Sequence, residues 1–149
     1  MNYQVIFIVC AILAGSFLPI QAGLNATLGD AVKSPIFAAF ASFGVGTLAL
    51  LLYLLLAGFD FSTARTAGQA PPSVWLAGVL GAFYVSAIII LAPKLGVALT
   101  FSLIVLGQMS ASLVLDHFGL LGLPVQSLNW PRILGTICLV LGVVLIRKN

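Results

Sequence analysis

The sequence predicts an all-α membrane protein with five transmembrane helices. Of its 149 residues, 62% are hydrophobic and 6% are charged, which leaves too little polar surface to cover a body of this size in water. The apolar residues form continuous runs, whereas a transmembrane barrel would show alternating apolar and polar positions. Because a spanning helix needs about 20 mostly apolar residues, the chain has room for its spans and short connectors, and no room for a soluble domain.

Prolines and short polar segments divide the chain into these spans. Pro35 and Pro131 stand where spans two and five begin, a position at which the missing proline N–H is not needed. Pro93 is predicted to end span three, because proline removes a helical hydrogen bond. Polar connectors are expected at about 58–73 and 119–129. We therefore predict one five-helix domain over residues 1–149, with spans at about 3–28, 35–57, 74–92, 95–115 and 131–146.

The charge pattern excludes several classes of function. The net charge is +3, and the six basic residues are scattered along the chain, so there is no basic patch for nucleic acid. The spans contain no nucleophile–base pair, phosphate-binding loop or cluster with metal-ligand spacing. We therefore expect a protein that is not an enzyme and needs neither a cofactor nor a metal ion.

Basic residues are divided unequally between the two membrane faces that five spans imply. One face carries Arg65 and Arg132, and the other carries Lys33, Lys94, Arg147 and Lys148. Basic residues favour the cytoplasm, so this count places the C-terminus inside, by a margin of only two charges. Such a weak bias is compatible with insertion in both orientations. The interfacial aromatic residues all map to the face with fewer basic residues: Tyr3, Tyr53, Trp75 and Trp130.

Span one carries two amides in an apolar helix. Gln21 and Asn25 are four residues apart and therefore share one helical face, and Pro19 lies just before them. Amides at membrane depth either hold helices together or line a binding site or polar pathway. An amide both donates and accepts hydrogen bonds, so these side chains suit a neutral or zwitterionic ligand.

Other polar residues of the spans are further candidates. Tyr84 and Gln108 could contact a ligand or bond another helix. Hydroxyls in helices most often bond the backbone of their own helix. We therefore expect such a bond more often than a ligand contact for Ser42, Ser86 and Thr100. Asp116 and His117 form an acidic–imidazole pair that is either a solvated helix end or a gate that responds to protons.

Five short runs carry a resemblance to a known family: PIQAGLNA at 19–26, GAFYVSA at 81–87, APKLG at 92–96, GQM at 107–109 and DHFGL at 116–120. Together they resemble the YdcZ-type family of bacterial inner-membrane proteins, which are regarded as five-helix exporters of the drug/metabolite transporter superfamily. The resemblance implies an antiparallel pair of ten helices related as inverted repeats. In that family the second half is the same chain, a paralogue or a fused copy.

The resemblance also implies a site near the membrane midplane at the repeat interface. Small multidrug exporters of the same superfamily use a glutamate in their first helix, whereas this sequence contains no glutamate and offers Gln21 and Asn25 there. We expect a small-molecule secondary transporter, an exporter, that works as a dual-topology homodimer in the bacterial inner membrane, with lipid and an unidentified small molecule as its other partners. The alternatives are a non-transporting membrane subunit, a passive channel and a lipid flippase.

Overall fold

The computed structural model describes residues 3–148. Within them the chain forms five long helices: α1 (Tyr3–Ala31), α2 (Pro35–Leu56), α3 (Leu76–Leu95), α4 (Val97–Phe118) and α5 (Trp130–Arg147). All five are long and apolar enough to cross a membrane, which confirms the predicted fold class of five spanning helices. The chain divides into two compact units, with the boundary along the chain between Pro93 and Lys94. The description of residues 1–149 as one domain stays a prediction.

In the first unit, α1 and α2 pack together and are joined by a tight reversal. The N–H of Ser34 donates to the Gly29 carbonyl at 2.9 Å, and the N–H of Lys33 donates to the Asp30 carbonyl at 3.4 Å. Lys33 has a φ of 57°, so the end of α1 has the pattern of a Schellman motif with lysine in the left-handed position. The Ser34 hydroxyl then accepts from the N–H of Phe37 and caps α2. Because the reversal is so short, α1 and α2 are antiparallel neighbours.

The core of this unit is small. Ala38, Ala39 and Ile89 are buried, and Leu28 and Val85 pack against them. Ile89 and Val85 belong to α3, so α3 joins α1 and α2 in one bundle. Small residues on α2 let the helix backbones approach closely.

The prediction that Pro93 ends span three is wrong. Helix α3 includes Pro93 and continues to Leu95. Proline removes only one helical donor, and a membrane helix tolerates that loss. The helix ends before Gly96, whose φ of +82° belongs to a region that residues with a side chain rarely adopt. Span four accordingly begins at Val97.

The predicted connector at 58–73 contains one 3-10 helix, Phe61–Gln69, and a second, Pro72–Trp75, begins at its end and leads into α3. Asp60 begins the first of them. One carboxylate oxygen of Asp60 accepts from the Ser62 N–H at 2.8 Å, and the other accepts from the Ser62 hydroxyl at 2.6 Å. These bonds, the side-chain bond foremost, lower the pKa of Asp60 below its ordinary value because they favour the charged carboxylate.

We predict that Ser62→Ala moves the Asp60 pKa back toward its ordinary value, since the hydroxyl bond is lost. Because folding lowers this pKa, its contribution to stability is present above the ordinary pKa and is lost as pH falls through the lowered one. The measurement is an NMR titration of carboxyl-labelled aspartate, of which the chain has three residues. Ser73→Ala in the same connector is the control, and an Asp60 pKa that stays unchanged in Ser62→Ala contradicts the prediction.

In the second unit, α4 packs against α5. Helix α4 extends beyond the predicted end of span four and closes at Gly119, whose φ is +59°. A Cβ at Gly119 would lie 2.6 Å from Cγ2 of Val125, so both conformation and packing require glycine here. Asn129 caps α5 by accepting the N–H of Arg132 at 3.1 Å.

Candidate functional site

Contacts in the first unit define the relative depth of its three helices. A methyl group added at Gly29 would lie 3.7 Å from Cβ of Ala38 and 3.6 Å from Cγ2 of Ile89. These three residues, one from each helix, therefore form a closely packed apolar layer. Gly29, Ala38 and Ile89 are called the apolar layer below.

A polar layer lies one helical turn away from the apolar layer. Starting from the apolar layer, four residues toward the N-terminus lead to Asn25 on α1 and to Val85 on α3. Four residues toward the C-terminus lead to Ser42 on α2. Asn25 and Ser42 line one groove of about 280 Å³. We call Asn25 and Ser42 the polar layer, which lies level with Val85 on α3. It lies roughly 9 Å from the α1–α2 reversal at 1.5 Å per residue.

A second groove continues from the polar layer toward the other end of the bundle. Gln21, Ser42, Gly46 and Val85 all line it, and its volume is about 260 Å³. Phe43 lies against α3, with its ring 3.5 Å from the position of a Cβ on Gly81. Ser42 lines both grooves, so the groove that contains Gln21 and the groove that contains Asn25 have this residue in common.

Two side chains in this unit have buried polar atoms without a partner. Within the described residues, Nδ2 of Asn25 and the hydroxyl oxygen of Tyr84 are both buried and make no hydrogen bond. Asn25 is only 7% exposed. Tyr84 is adjacent to Val85 and so lies at the depth of the polar layer. An unsatisfied buried polar group costs about 1–3 kcal/mol, and such groups are therefore candidates for ligand binding or for a partner outside this chain.

Most hydroxyls of the helices are satisfied locally. Thr100, which is 1% exposed, donates to the Gly96 carbonyl at 2.8 Å. A bond to the backbone of the same helix is the usual one for a hydroxyl in a helix. Within residues 3–148 the hydroxyls of Ser42 and Ser86 make no such bond. The hydroxyls that bond their own helix are those of Ser16, Thr27, Thr47, Thr100, Ser102, Ser110, Ser112 and Thr136.

The remaining predicted residues lie apart from this groove. Ser86 and Tyr84 are half-buried on α3, and neither contributes to the two grooves described above. Gln108 belongs to the second unit and is exposed on α4. The amides of Gln21 and Asn25 are therefore brought together with Ser42, and the role of each predicted residue stays a prediction.

Asp116 and His117 lie in the last turn of α4, and each has a different partner. Oδ2 of Asp116 accepts from Nη1 of Arg132 at 3.2 Å. Nδ1 of His117 accepts from the backbone N–H of Leu128 at 3.4 Å. The two side chains therefore join α4 to α5 and to the connector between them.

Arg132 and Gln126 complete this network, and the sequence reasoning gave neither of them a role in it. The Arg132 guanidinium donates to the Gln126 carbonyl at 3.3 Å and also to the Gln126 side-chain oxygen. The Gln126 N–H donates to the Asp116 carbonyl at 2.8 Å. The sequence did contain a signal for the ion pair. Arg132 is a basic residue at the start of span five, and one connector separates it from Asp116, the acidic residue at the end of span four.

Five apolar spanning helices and an uncharged polar groove among three of them define a multi-pass α-helical membrane protein. Within residues 3–148 no group of three or more His, Cys or Asp side chains is arranged to hold a metal ion.

The family described as "Putative inner membrane exporter, YdcZ" matches residues 6–145, and the chain belongs to that family. It is thus a multi-pass protein of the inner membrane, in a family described by transport rather than by catalysis. No curated protein and no solved structure matches the chain.

Proposed function

We propose that this protein is a secondary transporter that exports a small molecule and works as an antiparallel dual-topology homodimer, with its site at the interface between the two copies. The observation that carries the proposal is a pair of grooves that share Ser42, one lined by Gln21 and the other by Asn25. Within residues 3–148, Nδ2 of this same Asn25 is buried and has no hydrogen-bond partner.

The exposure of two amides supports a second copy. Gln21 and Gln108 are exposed in the single chain, although both lie in helices that can span a membrane. An amide without hydrogen bonds in hydrocarbon costs about 4–8 kcal/mol relative to water. A facing subunit, or a water-filled path between subunits, satisfies these groups.

The weak charge bias supports the antiparallel arrangement. Arg65 and Arg132 belong to one face of the predicted topology, and the four other basic residues belong to the opposite face. With so small a difference, the positive-inside rule selects an orientation only weakly. Two oppositely inserted copies would also place interfacial tyrosine and tryptophan at both membrane surfaces.

Reporter fusions to the C-terminus test the pairing. We expect that alkaline phosphatase, which is active only outside the inner membrane, and green fluorescent protein, which fluoresces only inside, both report in separate fusions. Adding three lysines after Lys33 should abolish the phosphatase signal, because the extra charge fixes one orientation. If only one of the two reporters functions, the dual-topology homodimer is wrong and an oppositely inserted paralogue is required.

Substitutions in the groove test the location of the site. A thermal-stability screen against small amines, amino acids and metabolites identifies a ligand, since binding stabilises the folded state. We expect Gln21→Ala and Asn25→Ala to remove that stabilisation and the flux of the same compound into proteoliposomes, with dimerisation intact. Thr27→Val, on α1 outside the grooves, is the matched control. Loss of dimerisation without loss of binding would instead support amides that only hold helices together.

A further inference from the structure

Two grooves in the second unit are each lined by residues of both α4 and α5. The larger, of about 460 Å³, has mostly apolar walls, and we call it the apolar groove. The smaller, of about 320 Å³, includes Asp116 and Arg132, and we call it the ion-pair groove. Gly135 and Leu139 line both. The charged pair at the end of α4 therefore adjoins an apolar space between the same two helices.

The apolar groove has the dimensions of a lipid tail. A Cβ at Gly135 or at Gly142 would meet no neighbouring atom of the described residues within 4 Å, so these glycines leave the groove open. From Arg132 to Ile146, which lines the groove near the end of α5, the helix rises roughly 21 Å at 1.5 Å per residue. One leaflet of the hydrocarbon core is about 15 Å deep. An acyl chain can therefore lie along these walls and supply the dispersion contacts that an unfilled groove lacks.

The ion pair keeps hydrogen-bonding capacity for a ligand. Nη1 of Arg132 donates to Oδ2 of Asp116 at 3.2 Å, and both side chains are partly exposed. Within residues 3–148, Oδ1 of Asp116 and Nε of Arg132 make no hydrogen bond. Trp130 begins α5 two residues before Arg132, and tryptophan favours the level of the lipid headgroups. The pair thus presents one negative and one positive group side by side near the membrane interface.

A zwitterionic headgroup is complementary to such a pair. Its phosphate can accept from the guanidinium of Arg132, since the planar guanidinium matches phosphate geometry. Its ammonium can donate to the carboxylate of Asp116, and both bonds are charge-assisted and therefore strong. A headgroup that has a phosphate and no ammonium would bond Arg132 but would place its negative charge beside Asp116 without compensation.

We propose that α4 and α5 bind one phospholipid whose headgroup carries both a phosphate and an ammonium group. The headgroup lies at Asp116 and Arg132, and one acyl chain lies in the apolar groove beside Gly135 and Gly142. The proposal goes beyond the proposed function, because it concerns a lipid site in the second unit and involves neither transport nor a second copy of the chain.

Native mass spectrometry of the purified full-length protein in detergent measures the bound lipid. The probes are phosphatidylethanolamine, which has both groups, and phosphatidylglycerol, which lacks the ammonium, with identical acyl chains. The wild type should bind phosphatidylethanolamine about tenfold more tightly and saturate at one molecule per chain. Asp116→Asn should reverse the preference, because Arg132 is then left without its counter-charge. A loss of stability alone would weaken both lipids and reverse nothing.

A second variant tests the apolar groove with the ion pair intact. Gly135→Leu places a side chain in the space that both grooves share, displaces part of the acyl chain and should weaken both lipids about tenfold. Gly107→Leu is the matched control, because it adds the same side chain to α4 at a position with nothing within 4 Å and outside both grooves. It should bind both lipids as the wild type does. If Asp116→Asn does not fold, the wild type and these two variants decide the question.

Three results would overturn the proposal: equal binding of the two lipids by the wild type, an unchanged preference in Asp116→Asn, or wild-type binding by Gly135→Leu. If Gly135→Leu separates the dimer and leaves lipid binding intact, a second copy occupies the groove and the lipid site is wrong. The reporter fusions measure orientation and no lipid preference, so the proposed function and this proposal fail independently.

Discussion

Gly29→Leu is expected to destabilise the first unit by about 3 kcal/mol, because a large side chain in a closely packed layer forces the helices apart. A Cβ at Gly29 already comes within 3.4 Å of the Pro35 Cα and 3.6 Å of Cγ2 of Ile89. Three further carbon atoms of leucine have no space there. The measurement is unfolding of the purified protein by increasing sodium dodecyl sulfate in mixed micelles, followed by circular dichroism.

Two substitutions separate overpacking from a general effect on α1. Gly29→Ala places only the methyl group, at ordinary contact distances, and alanine favours a helix by about 1 kcal/mol over glycine, so this variant should be at least as stable as the wild type. Gly23→Leu adds the same side chain to the same helix at a position with nothing within 4 Å. The prediction fails if Gly23→Leu is as destabilising as Gly29→Leu.

Arg132→Ala is expected to destabilise the second unit by about 2 kcal/mol, from one partly exposed ion pair and the hydrogen bonds to Gln126. The side chains of Arg132 and Asp116 are 29% and 33% exposed, so solvent screens the pair and limits its contribution. The loss also leaves the Asp116 carboxylate without a counter-charge at the end of α4. The same unfolding measurement gives the difference in free energy.

A double-mutant cycle isolates the ion pair from the other effects of truncation. Asp116→Asn should lose part of the same stability, and Arg132→Ala should cost less in that background than in the wild type. Arg65→Ala, an exposed arginine of the 58–73 connector, should change stability by less than about 0.5 kcal/mol. Equal effects of Arg65→Ala and Arg132→Ala would contradict a specific role for the network.

The network at Arg132 gives Asp116 and His117 a structural interpretation. Asp116 is bonded through its side chain and its carbonyl, and His117 accepts from the connector. Each contact ties the end of α4 to residues 126–132. The predicted gate or proton-responsive role stays a prediction, and the pairing that the structure gives is between Asp116 and Arg132.

Much of the fold followed from the sequence. Continuous apolar runs define spanning helices because the bilayer core excludes unsatisfied backbone groups, and this requirement acts locally on each segment. Helix starts at Pro35 and near Pro131 were also predicted, since a proline at the first turn has a local effect. The end of α3 was predicted wrongly, because Pro93 removes one hydrogen bond whereas the conformation of Gly96 ends the helix.

The candidate site was predicted only in part. The spacing of Gln21 and Asn25 indicated one helical face, and each residue lines a groove that also includes Ser42. Spacing could not tell that Asn25 is buried while Gln21 is exposed, nor that Ser42 links their grooves. Those properties depend on where α2 and α3 contact α1.

The sequence by itself determined that this chain is a five-span membrane protein and that its first helix carries two amides, because hydrophobicity and helical spacing are properties of single segments. Only the tertiary structure decided the depth at which the helices meet. Contacts among Gly29, Ala38 and Ile89 align α1, α2 and α3, and this alignment brings Ser42 beside Asn25. Which polar groups share a layer depends on packing between segments distant in the chain, and no local pattern encodes it.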